Sequence, residues 1–366
     1  MTRRGVCKGK GIAMGTITKS RVALAAFGAA LLLALTCVFA MPAHAASTTY
    51  TQTKLGYQSQ AITLQKGAVK LEIAAGASTS DVGIFTQVDA SGYGKNQIVH
   101  AYATDPYGKE VKYGNVAKTG TYYIVFYAST YSGATGTKAT VTSYPFAQKT
   151  ITVGKTATGT GCGDYKTVAY YKIKVAKRGL LSVDVADAAG GAASASVRIC
   201  NAKKKAFTSS DGWSSLYDGR KAYYGVKKGT YFLAVKSGTS LYKVTPKLTA
   251  VTKAGGEKKA KAVSIAKGKT MKGVLAAGEK ARWYKFKVTK SKKYTFAMTD
   301  KTDPSGLKLT FSGEGYYDGR AYLYSPSNAD VTFKTEKLKP GTYYIKVEPF
   351  RSSGTGGNGY FTIRWK

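Results

Sequence analysis

The stretch "LKPGTYYIKV", from Leu338 to Val347, decides how the chain is read. Pro340 and Gly341 suit the two central positions of a type II turn, because proline presets the first φ and glycine accepts a positive second one. Beyond the turn, side chains alternate with period two: Tyr343, Ile345 and Val347 share one face, while Thr342, Tyr344 and Lys346 share the other. That is the pattern of a half-buried antiparallel strand. The phrase occurs twice more, as "AKTGTYYIVF" from Ala117 and "VKKGTYFLAV" from Val226. Both copies keep the register, with Tyr122, Ile124 and Phe126 inward in the first and Tyr231, Leu233 and Val235 inward in the second. A slip of one residue would turn each set to the wrong face.

The glycines that open the phrase, Gly120, Gly229 and Gly341, recur about every 110 residues. That is too long for a solenoid repeat and is the size of a β-sandwich. Each repeat also opens with strands. In the third, Tyr284, Phe286 and Val288 face inward, followed by a lysine-rich turn and then Tyr294, Phe296 and Met298. In the second, Tyr171, Ile173 and Val175 precede Leu181, Val183 and Val185, and in the first Val69, Leu71 and Ile73 stand out. No helical period is sustained beyond the N-terminus. The expected class is therefore all-β, three tandem antiparallel sandwiches over 46–147, 148–255 and 256–366. The joins fall near Pro145 to Lys149 and in "TKAGGEKKAKA" from Thr252, which reads as a solvated linker.

Residues 1–45 read as a signal peptide. Arg3, Arg4, Lys8, Lys10, Lys19 and Arg21 precede the apolar run "VALAAFGAALLLALTCVFA", and Ala43-His44-Ala45 offers a small-residue cleavage site. Removing those six basic and no acidic residues from the formal +37 leaves +31 on the mature chain. Such charge predicts attraction to polyanions, among them anionic wall polymers, acidic glycans and nucleic acid, the last without specificity. The alternative is that lysine solubilises and blunts strand edges. Two cysteines survive processing, Cys162 and Cys200, and an oxidising exterior favours a disulfide between them.

The order "KGKTMKGVLAAGEKARWYKFKV", a following strand, and a terminal "LKPGTYYIKV" resembles the bacterial pre-peptidase C-terminal domain, and is similar to the collagen-binding modules of clostridial collagenases. The third repeat carries the resemblance best, the second fairly, and the first mainly in its last strand. The resemblance implies jelly-roll-like β-sandwiches appended to secreted proteases and a binding role. No peptidase is attached here, and the acidic calcium-binding linker of the collagen-binding relatives has no counterpart.

Chemistry is sparse. A catalytic triad needs a base against a nucleophile, and beyond the leader the only histidine is His100. No zinc motif, catalytic-cysteine arrangement or phosphate-binding glycine loop is present, and no cofactor or metal is expected. The candidate carboxylate pairs are Asp184 with Asp187 and Asp300 with Asp303. The repeated "YDGR" at Asp218 and Asp318 reads as turns. The alternating strands instead place Trp283, Lys285 and Lys287 outward in the third repeat and Tyr170, Lys172 and Lys174 outward in the second. Rings beside lysines can stack on a ligand while the charges attract anions; the alternative is that they pack under a neighbouring loop. The sequence thus points to a secreted, non-catalytic protein, in solution or held non-covalently at the cell surface, that binds polyanionic wall polymers, glycans or matrix proteins. The rivals are an accessory of a secreted peptidase and a carboxylate-dependent hydrolase.

Overall fold

The computed structural model describes residues 45–366 apart from 75–79, 104–108, 129–135, 147–148, 162–164, 189–192, 208–211, 218, 303–305, 314–315, 324–328 and 351–358. The segment assigned to the leader therefore lies almost wholly outside the described residues. Within them the regular structure is strand, broken only by a short 3₁₀ turn at Lys259–Lys261.

The strands form six sheets, two in each repeat. In the first repeat the order is Ala46–Thr51, Lys138–Pro145, Gly67–Ala74, Lys109–Val116 on one side, and Gly56–Leu64, Gly120–Ala128, Ser80–Val88, Gly94–Ala103 on the other. The second pairs a four-stranded sheet (Ala157–Thr160, Leu241–Ala250, Gly179–Asp187, Ala222–Val226) with a five-stranded one (Ser214–Leu216, Ala195–Cys200, Gly229–Ser237, Ala169–Val175, Lys149–Ile151). The third repeats that plan, with Val263–Ser264, Arg282–Val288, Gly341–Pro349, Leu307–Gly313 and Tyr316–Leu323 in its five-stranded sheet. Its four-stranded sheet runs Thr270–Leu275, Gly359–Trp365, Thr295–Thr302, Ala329–Lys334. Ladders are antiparallel except for the short edge strands Lys149–Ile151 and Val263–Ser264, which run parallel to their neighbours.

Three large buried clusters fill the spaces between these sheet pairs, and the inward residues read from the alternation are their centres. Tyr343, Ile345 and Val347 are at most 2 % exposed, as are Tyr284, Phe286 and Val288. The turn before the repeated phrase is held differently from expectation. Gly341 is extended (φ 159°) and already paired with Val288, so it does not take the left-handed φ of a type II turn. The turn is fixed instead by the tyrosine two residues on, whose hydroxyl donates to a lysine carbonyl four residues back. The three bonds are Tyr122 to Lys118 (2.8 Å), Tyr231 to Lys227 (3.0 Å) and Tyr343 to Lys339 (3.0 Å). The second "YDGR" also departs from expectation: Gly319 and Arg320 lie within the strand Tyr316–Leu323, opposite Phe311 and Thr310, and the ladder shifts register between Phe311 and Gly313, which pairs with Tyr316.

The join between the second and third repeats is anchored by buried Val251, Ala254, Gly256 and Ala262, while Thr252, Lys253 and residues 257–261 are exposed. Val251, Ala254 and Val274 are buried together against Tyr360. Gly256 exchanges backbone bonds with Trp283, and the Tyr284 hydroxyl donates to the Ala254 carbonyl at 2.7 Å. Ala277, from the third repeat, sits in the second core and donates its amide to Gly225 at 2.8 Å. Gly225 must be glycine, since a Cβ there would lie 2.8 Å from the Gly359 amide nitrogen, inside contact distance. Beside this seam Arg178 grips Glu279 bidentately (2.7 and 2.6 Å), and Arg282 holds the same carboxylate through its own fork. The Ala276 amide adds a bond of 2.9 Å. Burial alone would push the Glu279 carboxyl up, but these donors outweigh it and hold its pKa at about 2.

The tether and the ion triplet are each open to a stability measurement. Tyr343→Phe deletes one hydroxyl and leaves the Lys339 carbonyl short of a donor, so it should cost about 1 to 2 kcal/mol; an unchanged denaturation midpoint would show that the tether is dispensable. Glu279 has a depressed pKa in the folded protein, so its contribution is complete above the ordinary value of 4.5 and is lost as pH falls toward 2. The thermal midpoint of the natural chain should therefore fall more steeply below pH 4.5 than that of Glu279→Gln, and parallel curves would remove the triplet from the stability account.

Candidate binding surface

The outer faces of the two five-stranded sheets place the expected site residues where the alternation put them. Tyr170 and Trp283 are half-buried, Lys285 is half-buried, and Lys172, Lys174 and Lys287 are exposed. Each stripe runs beside the tyrosine-tethered strand. Lys172 lies opposite Phe232 and Tyr170 opposite Ala234, while Lys285 lies opposite Tyr344 and Trp283 opposite Lys346.

A single strand could not reveal the cross-strand company. In the second repeat Tyr170 and Phe232 meet edge to face (centroids 6.4 Å apart, planes at 83°), with the Lys204 ammonium 5.2 Å from one ring and 5.5 Å from the other. Lys204 has φ 60° in a tight turn whose amides at Lys203 and Lys205 donate to the Asn201 side chain. That left-handed conformation is uncommon for a residue with a Cβ. Trp213 has the Arg198 guanidinium 4.3 Å and the Lys236 ammonium 4.5 Å from its ring centre. None of the five strands in this sheet contains an Asp or Glu. The third repeat is milder. Lys259 approaches Tyr344 at 4.7 Å and Lys346 approaches Trp283 at 5.7 Å, but Lys346 also pairs with Glu348. Trp213, Phe232, Arg198, Lys204 and Lys236 were not legible as site residues; the signal that would have found them is strand order, which sets who stands beside Tyr170.

A cation over a ring face contributes about 0.5 to 1 kcal/mol when exposed, and it keeps both partners in place. The surface is therefore a close array of rings and positive charges, suited to attract anions and to stack against flat or apolar ligand faces.

The carboxylate candidates do not converge. Asp184 pairs with Lys221 at 3.6 Å, and Asp187, three residues along the same strand, points to the other side of the sheet. Asp300 is fully buried, whereas Asp303 and Asp218 lie outside the described residues. His100 is paired with Asp81. Among the described residues no cluster of three or more His, Cys, Asp or Glu side chains could hold a metal. Cys200 is buried, and Cys162 lies outside the described residues.

The described chain is thus all-β, with rings and cations side by side on the outer faces of two sheets. Residues 280–349 match the family model of the bacterial pre-peptidase C-terminal domain. Among solved structures, the chain is similar to the pre-peptidase C-terminal domain of a Bacillus anthracis collagenase, with 22 % identity over 28 % of this chain and 93 % of that one and a TM-score of 0.23. It is also similar to the M60 catalytic domain with two CBM51 domains from Clostridium perfringens, with 8 % identity over 89 % of this chain and 38 % of that one and a TM-score of 0.19. A third is a tandem CBM22 domain from Paenibacillus barcinonensis, with 10 % identity over 53 % and 74 % of the respective chains and a TM-score of 0.15. No curated protein matches.

Proposed function

We propose that the protein is exported and acts outside the cell as a non-catalytic binding protein for polyanionic polymers, such as anionic cell-wall polymers or acidic glycans. The acid-free outer face of the second repeat's five-stranded sheet carries this reading, where Tyr170, Phe232 and Trp213 stand among Lys172, Lys174, Arg198, Lys204 and Lys236. Trp283, Lys285 and Lys287 supply a second, weaker face. The family match over residues 280–349 supports an appended, non-catalytic role. Export rests on the leader read in residues 1–45, and the attraction to polyanions also on the net +31 that remains without it. In that setting Cys162 and Cys200 form the disulfide.

Binding to isolated cell wall or to a soluble acidic polymer should weaken steeply from low to physiological salt, because exposed charges are screened beyond about 8 Å at 0.15 M. Trp283→Ala and Tyr170→Ala should each reduce affinity while costing about 1 kcal/mol of stability or less, against roughly 3 to 5 kcal/mol for a fully buried ring. Salt-independent binding, or variants that unfold, would assign these rings to packing and the lysines to solubility. Hydrolysis of a glycan or peptide panel would replace the binding role by an enzyme.

Titration of the denatured, unreduced protein recovered from the culture medium should find no free thiol. Two reactive thiols would leave Cys200 as a packing residue.

A further inference from the structure

The same sheet in the first repeat carries different chemistry at the same positions. Ile62, Ile173 and Phe286 each lie opposite the tethering tyrosine of their repeat. Counting back from them, Tyr170 and Trp283 correspond to Ser59, Lys172 and Lys285 to Ala61, and Lys174 and Lys287 to Thr63. On the tethered strand, Lys236 and Glu348 correspond to Tyr127. The ring-and-lysine stripe is therefore missing from the first repeat, and a tyrosine cluster occupies the sheet instead.

Tyr127 is its hub. Tyr57, Tyr93, Phe85 and the His100 imidazole surround it at centroid distances of 5.4, 5.8, 6.1 and 6.2 Å, all steeply tilted to its ring. Tyr57, Tyr127, Asp81 and Tyr102 form one cross-strand row on the outer face. The hairpin joining Ser80–Val88 to Gly94–Ala103 folds back so that Tyr93 reaches Tyr57, 5.6 Å away on the far edge strand. Its tip is tied by the Asp89 carboxylate, which accepts from the Ser91 and Tyr93 amides at 3.0 Å. Phe85 lies across Gly83 and Gly94, where any Cβ would collide with its ring. Despite this packing Tyr57, Tyr93 and Tyr102 remain 46, 48 and 50 % exposed. Half-open rings this closely grouped are unusual on a solvated sheet.

From this juxtaposition we infer that the outer face of the first repeat is a second ligand site, distinct from the lysine faces, and that it takes an uncharged polysaccharide. The choice of occupant rests on charge and polarity. Among the outward residues of these four strands the charged side chains are Asp81 and Lys95, with His100 paired to Asp81, so the field that would gather a polyanion in the other repeats is cancelled here. A pyranose offers an apolar face to a tyrosine ring and a rim of hydroxyls to polar groups. The phenol hydroxyls and the Asp81–His100 pair supply donors and acceptors beside the rings; the hydroxyls of a sugar can use both, whereas a proline-rich peptide, with carbonyls but no proline N–H, can use only the donors.

The test is isothermal titration of the full exported chain with uncharged polysaccharides (mixed-linkage β-glucan, galactomannan and dextran) and with poly-L-proline, at about 0.05 and about 0.5 M salt. At least one polysaccharide should bind with affinity changed less than about twofold by salt. Tyr57→Ala and Tyr93→Ala, both half-exposed in the natural chain, should each weaken it about tenfold with the thermal midpoint preserved. The inference is overturned if no uncharged polysaccharide binds, if salt abolishes the binding, if both variants bind normally, or if only poly-L-proline binds. Acidic-polymer binding measured on the same variants should be unchanged, and Trp283→Ala should leave the uncharged ligand's affinity intact. Either site can thus fail without the other.

Discussion

The constraint common to the three sandwiches is a tyrosine hydroxyl given to the carbonyl of a lysine four residues back, made by Tyr122, Tyr231 and Tyr343 at the repeated phrase and by Tyr294 as well in the third repeat. The bond is local and its consequences are long-range. By closing the turn that feeds the tethered strand, it fixes which residue of that strand first enters the ladder, and with a side-chain period of two that choice decides both faces at once. The tyrosine must be inward for its ring to be buried and near the turn for its hydroxyl to reach a carbonyl. An amphipathic side chain with a polar tip meets both demands. Phenylalanine would fill the same space and leave the carbonyl without its donor.

Once the inward set is fixed, the outward set is free to vary, and the three repeats have used that freedom differently. Lysines flank Tyr170 and Trp283, whereas Ser59, Ala61 and Thr63 take the corresponding places in the first repeat. The cores stay apolar and tightly filled because methylene-sized errors there are costly, while the outer faces carry no such restriction. A tandem chain can therefore present unlike surfaces on like frameworks. The packed seam between the second and third repeats adds a geometric term. Ala277 is seated in the second core and Glu279 is clamped by Arg178 and Arg282, so the second and third repeats share side-chain contacts and not a linker alone. On the proposed function, two weak sites on one chain suit a repeating polymer, since the second contact is then intramolecular.

How much of this was legible in the sequence depends on the range of the interaction. Alternation within a strand is a local signal: Tyr284, Phe286 and Tyr171 are in the core as it implied, and Trp283, Lys285 and Tyr170 are on the outer face, half-buried by their neighbours. Turn chemistry was legible only in part. The glycine of the repeated phrase suggested a left-handed turn, but the tyrosine hydroxyl supplies the restraint, and that bond is invisible to a reading of dihedral preferences. The polar appearance of "TKAGGEKKAKA" concealed the seam, because Ala254 and Gly256 are buried by contacts with Tyr284 and Trp283, about thirty residues away.

The outer sheet faces show the same limit more sharply. Trp213, Arg198 and Lys236 lie on three different chain segments, and only the strand order that places Ala195–Cys200 between Ser214–Leu216 and Gly229–Ser237 brings them together. His100 read as an isolated residue because its partner, Asp81, stands on the neighbouring strand, and the hairpin position of Tyr93 gains meaning only when the tip folds back over Tyr57. Chemistry assembled across a sheet is thus encoded in pairing register, and register is set by the buried faces. The residues that specify the geometry of the tyrosine cluster are, for that reason, the apolar ones on the opposite side of the same strands: Ile62, Ile124 and Ile84 align Tyr57, Tyr127 and Asp81 from within the core.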